Sequence, residues 1–297
     1  MRYILLLLLA IVLSNSGCGE GTLKVDDSLY EPKISVFAIL TPGEGVGDVF
    51  ISRNFRVNER ISLEELLIQD AVVTLTDVAT QQDYALAYAP NEGTYFYPGS
   101  DLIILPGSSY ELNVSATVAG KDLQTSAVTT VPQLGMDITG TNADSMQYRQ
   151  TNSNGDLTRF SIEFERSPGI DFYLFSTWAI DGSVESYVYG NPYDDLDEED
   201  VREDLGSLRF EYEWYLNMPT TPGRSEIELF WIELPFYGRY QVIGYACDEN
   251  YENYIKTYDD VQEDDGNFHA PVLNLAGDGI GVFGAVITDT TYVKVIK

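Results

Sequence analysis

With 297 residues, the chain is long enough to bury one large core or two ordinary ones. Its 47 acidic side chains against 17 basic ones leave a net charge of −30, which excludes nucleic acid as a partner because the phosphates would be repelled. A single histidine excludes a zinc protease or a histidine-rich zinc site.

The first residues are organised as a leader. Arg2 supplies one positive charge, Ile4 to Leu13 form an unbroken apolar run, and Ser14-Asn15-Ser16-Gly17 lead to Cys18. This is the layout of a secretory signal over residues 1–17. Its apolar core of about 10 residues is half of what a membrane-spanning helix needs, so cleavage rather than permanent anchoring is expected. A cysteine directly after small residues resembles the lipobox of bacterial lipoproteins, although Asn15 stands where Leu or Val is usual. That resemblance implies lipidation of Cys18, and several acyl chains on one terminus hold a membrane stably where a single chain does not. With Cys18 so used, Cys247 has no cysteine left to pair with, and core burial must supply the stability. Residues 18–31 lack any sustained period and read as a lipidated tether reaching at most about 45 Å.

From 32 to 132 short alternating runs are separated by turn residues, the pattern of an immunoglobulin-like β-sandwich. The predicted strands are Lys33 to Ile39, Asp48 to Phe55, Ala71 to Asp77, Asp83 to Tyr88, Thr94 to Tyr97, Tyr110 to Thr117 and Gln124 to Val131. Ser62-Leu63-Glu64-Glu65 predicts a capping box opening one helical turn, and Ala119-Gly120-Lys121 a hairpin turn. Residues 133–154, rich in Gly, Asn, Asp and Ser, are expected to be a linker.

The second half, 155–297, reads as an aromatic-rich antiparallel β domain. Thr158 to Phe164, Phe172 to Ile180, Leu208 to Trp214, Glu226 to Leu234 and Arg239 to Cys247 are predicted strands. Tyr251, Tyr254, Ile255, Tyr258 and Val261 then recur at helical spacing, with Asp248 as N-cap, and predict a helix over about 250–263. Gly281 to Ile287 and Thr291 to Ile296 return to strand. Gly277, Gly279, Gly281 and Gly284 suit a tight turn feeding a strand that approaches the helix closely. The fold class expected is therefore mainly β, a sandwich followed by a second β domain with one helix in its last third.

This last third resembles a known family. The Tyr-rich helix, Gly266-Asn267-Phe268, Pro271-Val272 and Asn274-Leu275-Ala276-Gly277-Asp278-Gly279-Ile280-Gly281-Val282-Phe283-Gly284 are similar to the C-terminal signature of the Bacteroidetes lipoprotein family labelled domain of unknown function 4249. Tyr30-Glu31-Pro32-Lys33, Thr41-Pro42-Gly43 and Asp70-Ala71-Val72-Val73-Thr74-Leu75 agree with it. The resemblance implies an outer-membrane lipoprotein, often encoded beside TonB-dependent receptors, and it implies no catalytic residues; no cofactor is expected.

Candidate chemistry is sparse. Asp195, Asp197 and Asp200 lie in the densest acidic run, where a calcium loop is conceivable from oxygen supply alone, but the glycine and spacing of an EF-hand are missing. Cys247 and His269 lack the orienting third group of a nucleophilic site. The surplus is aromatic. Tyr187, Tyr189, Tyr193 and Tyr215 flank loops, where exposed rings serve as stacking platforms or contact hot spots. The function expected is that of a lipid-anchored outer-membrane accessory protein, not an enzyme, that binds a ligand or docks on a TonB-dependent transporter. A glycoside hydrolase with paired carboxylates and a calcium-stabilised surface adhesin are the alternatives.

Overall fold

The computed structural model describes residues 30–56, 59–210, 213–262 and 271–297. Cys18, His269 and the acidic residues Glu263, Asp264 and Asp265 lie outside them. Among the described residues no helix is long and apolar enough to cross a membrane.

The chain is mainly β. In β1 (Ile34–Leu40) Ile34, Val36, Ala38 and Leu40 are buried, as period-two alternation demands. β2 (Phe50–Arg53) pairs with it antiparallel. The expected capping box opens α1 (Leu63–Leu66): the Glu65 N–H donates to the Ser62 hydroxyl, and the Ser62 N–H donates to the Glu65 carboxylate at 2.8 Å. There follow β3 (Val72–Asp77) and β4 (Gln82–Ala85), a separate small hairpin of β5 (Ala87–Ala89) and β6 (Thr94–Phe96), and the long hairpin of β7 (Ser109–Val118) and β8 (Lys121–Thr130). Ala119 and Gly120 join that hairpin with φ of +50° and +76°, the paired positive values that match the turn to the twist of the strands.

The second half contains β9 (Asp137–Thr141), β10 (Ser145–Gln147), β11 (Phe160–Glu165), β12 (Phe172–Ala179), the short helices α2 (Glu198–Glu203) and α3 (Leu205–Arg209), β13 (Glu213–Asn217), β14 (Arg224–Leu229), β15 (Gly238–Cys247), α4 (Glu249–Gln262), β16 (Ala276–Gly277) and β17 (Gly279–Ile296). A seven-stranded sheet runs β13-β12-β15-β17-β1-β2, with β10 also on β17; the others run β16-β8-β7-β3-β4, β14-β11-β9 and β5-β6.

β17 belongs to both halves. Gly279 to Ala285 lie parallel to β1, and Val286 to Val295 antiparallel to β15. Phe283 and Ala285 thus enter the core built on Ile34, Leu75, Tyr110 and Leu112, while Ile287, Val293 and Val295 enter the one built on Phe160, Phe175, Trp231 and Phe236. The boundary expected after Pro132 is therefore spanned by one continuous strand. The stretch expected as a linker, 133–154, supplies β9 and β10 instead, because its residues find strand partners, β9 in the nearby β11 and β10 in the far end of β17. The break expected between Ile287 and Thr291 is absent: the Asp289 carboxylate accepts the Ile138 N–H at 2.6 Å, so the acid ties β9 to an uninterrupted strand.

One strand prediction is overturned. Leu208 to Trp214 alternates, yet Leu205–Arg209 is helical and only Glu213–Asn217 is strand. Val201 is buried, and Leu205 and Leu208 pack on the same core at spacings of four and three, so a helical period competes and wins. Arg209 is no solvent-facing charge: Nε and Nη2 donate to the Ala179 and Ile180 carbonyls at 3.1 Å each, and its guanidinium lies 4.9 Å from the Trp178 ring. Glu226 to Leu234 also stops early, at Leu229, for a reason that shapes the site described below.

The glycine run closes the structure. Gly281 has φ +102°, and a Cβ there would stand 2.1 Å from the Val36 carbonyl oxygen; at Gly284 it would meet Asp248 Oδ1 at 2.9 Å and Tyr251 Cβ at 3.0 Å. Only Gly284 makes the expected close approach to the helix, whereas Gly277 and Gly279 close on β8 and Gly281 on β1. Asp248 is the expected N-cap of α4: its Oδ1 accepts the Tyr251 and Ala285 N–H groups at 3.0 Å each, and Oδ2 accepts the Thr129 hydroxyl. One buried carboxylate thereby joins α4, β17 and β8, and burial pushes it above the usual carboxylate range.

Candidate functional site

Three loops meet at one end of the C-terminal core. They are the segment after β10, the segment from the 3₁₀ turn Val184–Ser186 to α2, and the turn after β14. Tyr187 forms a bridge with Phe236, the Val188 N–H donates to the Pro235 carbonyl at 2.9 Å, and the Tyr237 N–H donates to the Ser186 carbonyl at 2.7 Å. These bonds fix the second loop on the third. The first is fixed by Trp231, whose Nε1 donates to the Thr158 carbonyl at 2.8 Å.

Beneath the loops lies a ladder of rings. Tyr189, Tyr187 and Phe236 meet edge-on at 5.1 and 5.3 Å, and Tyr237, Tyr148 and Trp231 at 6.1 and 5.2 Å. Such pairs add about 0.5–1.5 kcal/mol each beyond simple burial. Burial pushes the Tyr148 phenol up to about 12, and its hydroxyl has no hydrogen-bond partner among the described residues.

At the outer end of the ladder, which is Tyr189, and around it, large side chains are open. Tyr189, Tyr193, Phe230 and Ile232 are each between 40% and 47% exposed. Arg149 lies 5.8 Å from the Tyr193 ring and Arg159 4.5 Å from the Phe230 ring, with Arg159 Nη1 donating to Glu228 at 2.8 Å. Exposed rings backed by buried ones and flanked by arginine have the composition of contact hot spots.

Of the four tyrosines singled out from the sequence, the structure brings three together. Tyr189 and Tyr193 are exposed in the same loop, as expected. Tyr187 is buried, its hydroxyl donating to Asp194 Oδ2 at 2.7 Å, so it supports the surface rather than forming it. Tyr215 is exposed elsewhere, on β13 at the border of the seven-stranded sheet, packed on Phe172.

The acidic run serves the same loop. Asp197 Oδ1 accepts the Glu199 and Asp200 N–H groups at 2.8 and 3.1 Å, and Asp200 Oδ2 accepts the Asp197 N–H at 2.9 Å, which makes these two the capping box of α2. The backbone donors hold the Asp197 carboxyl below its usual range. Asp195 is exposed beside them, and no three ligands of a metal-binding kind converge among the described residues.

Sequence reasoning missed Phe230, Ile232, Arg149 and Arg159. Alternation through Leu234 hid the first two, but Glu233 was the available signal: its Oε2 accepts the Phe230 N–H at 2.8 Å, three residues back, and curls the strand into a 3₁₀ turn. Glu233 is buried, and burial pushes its carboxyl up to about 7 against the opposing pull of the Phe230 N–H and Arg159. Proton exchange near neutrality is open to such a group, as in a general acid. The Phe230 N–H and the Arg159 guanidinium both favour the ionised form, so burial alone raises it. Cys247 is buried beneath α4 with Phe172, Leu174 and Val286, and His269 lies outside the described residues.

Comparison with curated proteins finds no match. A family model matches residues 20–291, nearly the whole chain, and the protein accordingly belongs to the family described as a domain of unknown function, DUF4249.

Proposed function

We propose that this is a lipid-anchored outer-membrane accessory protein that recognises a partner through the loops carrying Tyr189, Tyr193, Phe230 and Ile232. The partner class is a TonB-dependent outer-membrane receptor. The observation carrying the reading is the open surface itself: three aromatic side chains and Ile232, each at least 40% exposed, on loops backed by the buried rings of Tyr187, Trp231 and Phe236. Rigid backing lowers the ordering cost of binding. The sequence supports the location through the leader and Cys18.

Two experiments test the two parts. Labelled palmitate should enter the wild-type protein and not Cys18→Ala; a Cys18 that takes up no label removes the anchor. A photo-crosslinking residue at 189 or 230 should capture a TonB-dependent receptor from intact outer membranes, while the same residue at 215 should not. Equal capture from all three positions would remove the assignment of the surface.

A further inference from the structure

A second surface, independent of the loop cluster, lies on the outer face of the β16-β8-β7-β3-β4 sheet. Its strands bury Val73, Leu75, Leu112, Val114, Leu123 and Ala127 inward. The alternate residues therefore face out. Cross-strand register sets them in two rows: Val72, Ser115 and Gln124 in one, and Thr74, Asn113 and Ser126 in the next, with Ala276 extending the second. From β16 to β3 this spans three strand spacings, about 14 Å.

The sheet is hollowed along these rows. One concavity of about 440 Å³ covers both, and an adjoining one of about 350 Å³ shares Val72, Ser115 and Gln124 with it. Each is of a size that holds a small ligand. The lining is unusual for this chain. No ionisable residue borders the larger hollow, although 22% of all residues are charged and the net charge is −30; Asp70 and Asp122 appear only in the adjoining one. The polar lining of the larger hollow comes instead from hydroxyl and carboxamide residues, six of the ten that border it. The Asn113, Ser115, Gln124 and Ser126 side chains make no hydrogen bond to other described residues, so their donors and acceptors all point to solvent.

We infer that this hollow binds a neutral oligosaccharide. Asparagine and glutamine each offer a donor and an acceptor side by side, and serine and threonine hydroxyls both donate and accept, which matches the adjacent hydroxyls of a sugar ring. Val72, 67% exposed, gives the ring's C–H face an apolar contact. An anionic ligand would meet the field of a strongly acidic chain, and a cationic one would find no carboxylate in the larger hollow. A peptide adding as a strand needs a free sheet edge, and the edge beside the hollow is closed: β8 is paired with Ala276 and Gly277, the Asp278 N–H donates to the Gln124 carbonyl, and Asn250 Nδ2 donates to the Val128 carbonyl, while the opposite edge strand, β4, lines neither concavity.

Titration calorimetry with malto-, xylo- and chitohexaose, a polygalacturonate fragment and an unstructured neutral hexapeptide tests the inference on the full chain. At least one neutral oligosaccharide should bind saturably. The double substitution Asn113→Ala with Gln124→Ala should weaken it tenfold or more without moving Tm, because neither side chain has an internal partner to lose, and Tyr189→Ala should bind as wild type. Absence of saturable binding by all three neutral sugars overturns the inference, as does binding that survives the double substitution or that only polygalacturonate or the peptide displays. Loss of sugar binding in Tyr189→Ala alone would move the site to the loop cluster and overturn it equally.

Discussion

Replacing Glu233 by Gln separates the two contributions of a buried carboxyl, its hydrogen bond and its charge. The amide keeps an oxygen to accept the Phe230 N–H, so the 3₁₀ turn that exposes Phe230 and Ile232 should persist. Its charge is another matter. The carboxyl is pushed from 4.5 up to about 7 by burial, so between those values the folded protein retains a proton that the unfolded chain releases. Stability contributed by the protonated form is complete below about pH 4.5, falls as pH rises through this window and is lost above about pH 7. At about 1.4 kcal/mol for each pH unit the loss amounts to about 3 kcal/mol. Gln escapes it, but adds an N–H without a partner that costs about 1 kcal/mol. The substitution should therefore stabilise the protein by about 2 kcal/mol at pH 8.5, a rise in Tm of about 4–8 °C, and leave the two proteins within about 1 kcal/mol at pH 5. Calorimetric scans of both proteins at the two pH values give the answer, since every other titrating group is common to the pair and cancels in the difference. An offset of equal size at pH 5 and pH 8.5 would refute the reasoning, because a purely structural effect of the amide carries no pH dependence.

Three further outcomes follow from the packing. Gly281→Ala forces a methyl toward the Val36 carbonyl at a φ of +102° and should lose about 3 kcal/mol or more, whereas Gly45→Ala, in open space, should stay within about 0.5 kcal/mol in urea denaturation. Asp248→Ala strips the acceptor from two N–H groups and a hydroxyl and should cost about 3 kcal/mol or more; Thr129→Val removes a single contact and should cost about 1 kcal/mol by the same assay, so equal losses would deny that Asp248 joins three elements. Ala119→Asn places a residue tolerant of positive φ at the first turn position of the β7–β8 hairpin and should raise Tm by a few degrees, with stability up by about 0.5–1 kcal/mol.

Local signals in the chain were readable wherever one residue type answers one physical need. Alternation placed β1, β3, β7, β8, β12 and β15; Ser62 with Glu65 placed α1; Asp248 and the Tyr251, Tyr254, Ile255, Tyr258 spacing placed α4. Pairing was not readable, because a strand's period says which face is buried and nothing about which strand lies beside it. The partners of β1 are β2 and a strand more than two hundred residues away, and β10 lies beside the far end of β17. Helix α3, which carries Leu205 and Leu208, was masked by a chance alternation that begins at Leu208. At the loop cluster, tyrosine count and loop position identified Tyr189 and Tyr193, but the same rule swept in Tyr187, which differs only in having Asp194 in reach to receive its hydroxyl inside the core. The hollow over β3, β7 and β8 was invisible for a different reason. Its residues are the ordinary polar half of alternating strands, and concavity is a property of how the sheet curves.

The glycine-rich C-terminal stretch carried the family resemblance, and its packing shows why that stretch is so constrained. β16 and the start of β17 fit closely against neighbouring elements: β8 against Gly277 and Gly279, the Val36 carbonyl against Gly281, the first turn of α4 against Gly284. Side chains cannot be accommodated at those points without moving an element of one core or the other. Beyond them the strand regains ordinary alternation, with Val293 and Val295 buried and Lys294 and Ile296 outward. Since the same strand completes both cores, strain introduced at Gly281 should loosen the β15 pairing that supports the loop cluster as well as the β1 pairing beside it. The chemical surfaces, by contrast, sit on loops and on a solvent face where no such fit is required, and there the sequence is free to vary without disturbing the fold.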